Sequence, residues 1–330
     1  MEEQKNFISI KNKSNNSFRR KIILMGEKDV GKTSIFSMIF TNVYPIETIL
    51  FGNTISISLS QIIFSGGELI EFDDCGGEEN YIEEYFTTKK DIFENVTTFI
   101  FAIKAEESKQ TSDNNINTDL QFFEKCIKLL NQKSPKANIF VLIHKMDKIL
   151  SNKRKYIYES KKKEIIEKIN KMNININFFA TSIWDGSLYM PWKEIMCNNM
   201  IIDKNRLLKG LNYLLEACDA DEIFLFELNT FLSICSVDNG KNKNIEERTK
   251  KISFLIKKLK QALRRNKSDF CCLKLKLKNI MVYFEEFTKY TYIMILSQKP
   301  KINYEFLSLN IYFLREKIKR NDNYKLVNQK

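Results

Sequence analysis

Several short stretches of this chain carry residue types that handle phosphate and a divalent cation. The first, Gly26-Glu27-Lys28-Asp29-Val30-Gly31-Lys32-Thr33, fits the phosphate-loop pattern of Gly, four intervening residues, then Gly-Lys-Thr. Backbone N–H groups of such a loop, and of the helix it opens, bind phosphate oxygens. Lys32 is placed to reach the β- and γ-phosphates, and the Thr33 hydroxyl to ligate Mg²⁺. Gly26, Lys28, Asp29, Val30, Gly31, Lys32, Thr33 and Ser34 are the candidate phosphate-binding residues. The second stretch, Asp74-Cys75-Gly76-Gly77, is a D-x-x-G box behind an apolar run. Asp74 can hold Mg²⁺ through a water. Gly77 can offer its N–H to a γ-phosphate, because no side chain blocks the approach. Loss of that phosphate would remove the contact and release the acidic segment that follows.

His144-Lys145-Met146-Asp147 addresses the base. A carboxylate at Asp147 accepts from N1–H and the 2-amino group of guanine, and adenine has no such donor pair. The stem of Lys145 can pack over the ring. The box resembles the N-K-x-D motif of guanine-nucleotide proteins, with His144 at the Asn position. Ser182 and Ile183, after Thr181, occupy the place of a second base loop. Thr54, in Phe51-Gly52-Asn53-Thr54-Ile55, stands where a threonine would meet the γ-phosphate and Mg²⁺. The expected ligands are GTP or GDP with Mg²⁺, the metal on Thr33, Thr54 and Asp74. Lys32, Thr54 and Glu78 are the candidate catalytic residues.

These motifs need a scaffold that brings loop ends together. Lys21–Met25 reads as a buried strand and Lys32 to about Phe40 as a helix. Residues 55–64 and 68–73 read as a hairpin about Gly66-Gly67. Residues 97–103, 138–143 and 176–181 are further strands, separated by helical patterns at 117–131 and 156–171. The alternation predicts an α/β fold, a mostly parallel sheet with helices on both faces. After about residue 200 the pattern changes: a helix at 204–218, a strand pair in 222–236, a basic helix at 245–265, strands in 279–296 and a last helix from Tyr304 to Lys319. This predicts a smaller α+β unit. The expected division is a loose tail at 1–20, a phosphate-loop domain at 21–200 and a second domain at 201–330.

A length of 330 residues with 43% hydrophobic content suits about two domains. The 7 cysteines are scattered without C-x-x-C spacing, which argues against a zinc cluster and for reduced thiols in the cytosol. No signal peptide, prenylation box or membrane-length apolar run is visible. The net charge of +12 is concentrated in residues 241–267, at a net +9. The same stretch places Ile252, Leu255, Ile256, Leu259 and Leu263 at helical spacing, so a helix with an apolar stripe and solvent-facing lysines is expected. Nucleic-acid binding is disfavoured because no aromatic recognition motif accompanies the charge. Phe224, Phe226, Phe231 and Ile234 could serve either a core or an interface.

Taken with D-C-G-G and H-K-M-D, the stretches EEYFTTKKDIFENV (83–96), TSIWDGSLYMPW (181–192) and DADEIFLFELNTFLSI (219–234) resemble the Rag/Gtr family of GTPases, in its RagA/RagB-type form. The resemblance spans roughly 20–300. It implies a GTPase domain followed by a roadblock-like domain, and a molecular switch that hydrolyses GTP slowly. It also implies heterodimerisation with a RagC/RagD-type GTPase, and a membrane-anchored scaffold complex that recruits a cytoplasmic chain to lysosomes or vacuoles. The effector would be a component of the TOR kinase complex, in the response to amino acids. The chain departs from the family pattern in two places. Glu78 replaces the usual Gln, and an ionised Glu accepts hydrogen bonds but donates none. It would add like charge beside a γ-phosphate, or serve as a general base. Lys28 and Asp29 stand where small residues are common, with Lys28 available to offset Asp29. A GTP-binding scaffold with little hydrolysis is the alternative reading.

Overall fold

The computed structural model describes residues 20–41, 43–52, 54, 57–64, 68–106, 118–169, 174–198, 204–240, 245–265, 272–278, 280–298 and 303–321. The expected tail, the Gly66-Gly67 turn, most of the 108–118 loop and the division near residue 200 lie outside them.

Six strands form the first sheet: β1 (Arg20–Gly26), β2 (Ser58–Phe64), β3 (Glu68–Asp74), β4 (Val96–Lys104), β5 (Asn138–His144) and β6 (Ile176–Ala180). Their order is β2-β3-β1-β4-β5-β6. The β2–β3 pair is antiparallel and the other pairs are parallel. The central strands are apolar on both faces because helices cover both. On one face α1 (Lys32–Phe36, continuing as a π-helical turn over Ser37–Thr41) and α5 (Tyr189–Asn198) close a core around Phe36, Phe72, Phe140 and Trp192. On the other, α3 (Thr118–Lys133) and α4 (Arg154–Ile169) bury Phe99, Phe101, Phe123 and Ile165. A short helix, α2 (Glu79–Phe86), follows β3. The parallel strands end on one side, which brings Gly26, Asp74, His144 and Ala180 to a common rim. In open sheets of this kind, ligands bind at that rim.

Helix α6 (Lys204–Ala217) leads into the second sheet, with β7 (Glu222–Glu227), β8 (Ser233–Asp238), β9 (Cys272–Lys276), β10 (Met281–Thr288) and β11 (Thr291–Ser297). It is antiparallel, in the order β8-β7-β11-β10-β9. Helix α6 and the C-terminal α8 (Tyr304–Asn321) cover one face through Leu211, Leu214, Leu307 and Ile311. Helix α7 (Ile245–Arg265) covers the other. Phe224, Phe226 and Phe231 are buried under α7 and Ile234 under α6 and α8, so all four belong to the chain's own cores.

Helix α7 departs from the sequence expectation. Ile252 and Ile256 face the second sheet, but Leu255 and Leu259 are exposed, at 63% and 37%. The side chain of Leu263 lies outside the described residues. Thr249, Ser253, Lys257 and Gln261 recur every four residues and are all buried. This polar stripe meets the first unit. Lys257 Nζ donates to the Ile39 carbonyl at 2.5 Å, and Gln261 Nε2 to that of Val43 at 3.0 Å. The last carbonyls of a helix have no partner within it, and a cation suits that end of the dipole. Here the partners come from α7, while Phe254 packs on Tyr189. Lys260 also turns inward, donating to the Leu228 carbonyl at 3.0 Å across the Phe231 ring. The expectation that the lysines of α7 face solvent therefore fails for these two residues.

Burial pushes the Lys257 ammonium down to about 7, partly opposed by the charge of Glu227. In the unfolded chain this lysine keeps its proton to near 10.4. Between those values the unfolded state binds more protons, so this group makes stability rise with pH. Chemical denaturation at pH 7 and pH 9.5 should show the chain gaining stability relative to a Lys257→Met variant as pH rises. Equal changes in both proteins would show that the lysine does not titrate in a buried site.

Candidate functional site

The rim of the first sheet encloses a cavity of about 320 Å³. Lys28, Asp29, Gly31, Lys32, Thr33 and Ser34 of the phosphate loop line it, together with Lys145, Asp147 and Ile183. Thr54, Gly77, Glu78 and His144 complete the expected set on its wall. Gly26, Val30, Asp74 and Ser182 stand behind the surface. Val30 is part of the core, and the other three hold lining residues or turn the backbone.

At the phosphate end, Lys32 Nζ donates to the carbonyls of Gly26 and Glu27, each at 2.7 Å. This ties its ammonium across the loop. Gly26 has φ +147°, and a Cβ there would lie 2.2 Å from the Ala102 carbonyl oxygen. Gly77 is tighter in another way. A Cβ on it would lie 2.5 Å from Lys32 Nζ and 2.6 Å from Lys28 N. The D-x-x-G glycine thus rests directly on the phosphate loop, and no larger residue fits. Buried Tyr85 of α2 steadies the turn by donating its hydroxyl to the Gly76 carbonyl at 3.1 Å.

Three oxygens converge beside this turn. Thr33 Oγ1 donates to Asp74 Oδ2 at 2.6 Å and lies 2.7 Å from Thr54 Oγ1. Asp74 Oδ1 is buried with no hydrogen-bond partner among the described residues. Burial raises the Asp74 carboxyl above its ordinary range, against the hydrogen bond from Thr33 and the charge of Lys32. A carboxylate with one oxygen orphaned and the other joined to a chain of two hydroxyls is a hard donor set, suited to a small cation that also takes waters and phosphate oxygens. Neighbouring Asp73 points to the other side of its strand and pairs with Lys21 at 3.5 Å. The strand's alternation sends only one of the two acids to the site.

Around Asp147, Ser182 Oγ donates to the carboxylate oxygen Oδ1 at 2.6 Å and accepts from Trp184 N at 3.1 Å. One carboxylate oxygen is thereby fixed, and the other accepts no hydrogen bond from the described residues. Lys145 has a left-handed backbone, φ +63°, and its Nζ reaches the Asp29 carbonyl at 2.5 Å. Its stem spans the cavity from the end of β5 to the phosphate loop. His144 is buried, with Nδ1 2.9 Å from Thr181 Oγ1 and its ring under Gly31. Burial lowers it to about 4, so the imidazole is neutral near pH 7. It joins the ends of β5 and β6 to the phosphate loop as a packing element.

Sequence reasoning missed Thr48, Ile49, Phe51, Gly52, Lys148 and Trp184 as site residues, and these also line the cavity. Trp184 had a signal, an aromatic residue two positions after Ser182. Thr48 and Ile49 had none, because they lie on a 3-10 turn, Pro45–Leu50, whose place depends on its neighbours.

A family model described as the Gtr1/RagA G protein conserved region matches residues 21–256. The chain is 33% identical to the Ras-related GTP-binding protein A of Dictyostelium discoideum, over 89% of this chain and 94% of that one. It is 35% identical to the GTP-binding protein GTR1 of Saccharomyces cerevisiae, over 92% and 98%. Identity to the yeast GTP-binding protein GTR2 is lower, 24% over 66% of this chain and 62% of that one. The likeness is thus stronger and longer to the GTR1 type, and the chain belongs to the Gtr1/RagA family of G proteins.

Proposed function

We propose that this chain is a guanine-nucleotide switch that binds GTP and GDP with Mg²⁺, hydrolyses GTP slowly, and works as one half of a heterodimer. The observation that carries the reading is the convergence, around one cavity, of a phosphate loop, a glycine resting on that loop, and a carboxylate fixed for a base. Lys32, with the loop N–H groups, would hold the β- and γ-phosphates, and Gly77 N–H would meet the γ-phosphate. Thr33, Thr54 and Asp74 would hold Mg²⁺, whose charge offsets that of the phosphates. The free oxygen of Asp147 would take the guanine donors, with Lys145 and Trp184 beside the ring. Loss of the γ-phosphate would release Gly77, and through Glu78 the start of α2.

In this reading residues 21–200 form the GTPase domain and 201–330 a roadblock-like domain that pairs with a Gtr2/RagC-type chain. Phe306, Leu309 and Phe313 on α8 support a partner on the second unit, since they are 47%, 52% and 60% exposed. Among the described residues no helix is long and apolar enough to cross a membrane. The proposed address, a lysosomal or vacuolar surface, would be supplied by a scaffold complex, with a TOR kinase complex component as effector.

Asp147→Asn should weaken GTP and GDP binding by about 2 kcal/mol, because half of the acceptor becomes a donor. Unchanged nucleotide affinity, by titration with fluorescent GDP, would remove Asp147 from base recognition. Thr33→Asn should lower GTP affinity in Mg²⁺ far more than GDP affinity, and an unchanged ratio would exclude Thr33 as a metal ligand. Co-expression of the full chain with a Gtr2/RagC-type chain of its own organism should give a one-to-one dimer by light scattering. Two separate monomers would refute the assembly.

A further inference from the structure

Lys28 and Glu78, two residues that depart from the family pattern, touch each other. Lys28 Nζ lies 3.2 Å from Glu78 Oε1, both side chains are partly exposed, and both line the cavity. The pair joins the phosphate loop to the first residue after Gly77. Glu78 is also the N-cap of α2, yet its side chain makes no capping hydrogen bond to that helix. A carboxylate at this position would ordinarily accept from the helix N–H groups. Here it turns to the phosphate loop instead.

The neighbouring backbone fixes where this carboxylate starts. Gly77 rests on Lys32 Nζ and Lys28 N, so Glu78 leaves the chain at the phosphate end of the cavity. An unpaired carboxylate there would repel the terminal phosphate of a nucleotide. The ammonium of Lys28 stands beside it and comes from the same loop that cradles the phosphates. The acid alone would disturb the site by repulsion. Together they add no net charge.

We propose that Lys28 is a positioning residue for Glu78. It cancels the carboxylate's charge so that GTP is admitted beside it, and it holds that carboxylate where it can accept a hydrogen bond from the attacking water. The reaction is the ordinary one. Water oxygen bonds to the γ-phosphorus, the bond from that phosphorus to the β–γ bridging oxygen breaks, GDP leaves with the electron pair, and the water's proton ends on inorganic phosphate. This inference rests on the guanine-nucleotide reading above, and it makes preference for GTP over GDP depend on Lys28, since only GTP carries the phosphate nearest Glu78.

The test uses the full chain and three measurements: GTP affinity, GDP affinity and single-turnover GTP hydrolysis. Lys28→Ala should lower the GTP-to-GDP affinity ratio about fivefold, the size an exposed ion pair supports, and should slow hydrolysis. Adding Glu78→Gln to Lys28→Ala should restore the ratio, because the repelling charge is gone. Lys28→Arg should keep both the ratio and the rate, which a loss through local misfolding would not. If the two substitutions change the ratio independently while the wild-type chain binds both nucleotides, the proposal falls and the nucleotide reading stands. If the wild-type chain binds neither nucleotide, both fall.

Discussion

Lys32 sits at the crossing of two loops that are distant in sequence. Its ammonium ties the carbonyls of Gly26 and Glu27, and the backbone of Gly77 rests against the same nitrogen. A methyl group at residue 77 would occupy the space of that ammonium. The contact therefore sets the distance between the phosphate loop and the end of β3. The other features of the phosphate end follow from that distance. Thr33 meets Asp74 and Thr54 only because β1 and β3 are adjacent and their ends are drawn together. Glu78 meets Lys28 for the same reason.

The second constraint is the placement of α7. A helix with a charged outer face normally packs one apolar stripe and leaves the rest to water. Helix α7 instead has two buried faces, an apolar one on the second sheet and a polar one on the first unit. The polar face satisfies carbonyls at the end of the α1 helical stretch. It leads into the segment whose residues Thr48 and Thr54 border the cavity. Lys257 and Gln261 thereby tie α7 to that stretch, by contacts that span 218 residues of sequence.

Much of the site was legible because its motifs are local. A phosphate loop works through consecutive backbone N–H groups between a strand and a helix, so its signature survives in eight adjacent residues. D-x-x-G and K-x-D are similar, each a few residues fixed at a strand end. The parallel sheet was legible from apolar runs alternating with helical patterns. Some helices and strands were less so. Helix α2 is eight residues long and begins within an acidic run, and β9 alternates Leu and Lys on an exposed edge.

What the sequence by itself determined is the order of the motifs and the identity of the strands and longer helices that carry them. Each depends on spacing within about ten residues, where backbone geometry dictates side-chain direction. What only the tertiary structure decided is which sides meet. Periodicity gave α7 an apolar stripe that included Leu255 and Leu259, yet those are exposed and Lys257 is buried. A helix pattern records which residues share a face, but the value of a face depends on what is brought against it. A carbonyl end that needs a donor can bury a lysine where solvent would have left it outside. The Lys28–Glu78 pair is the same case at the site, since the two residues stand 50 positions apart and only the closeness of Gly77 to the phosphate loop joins them.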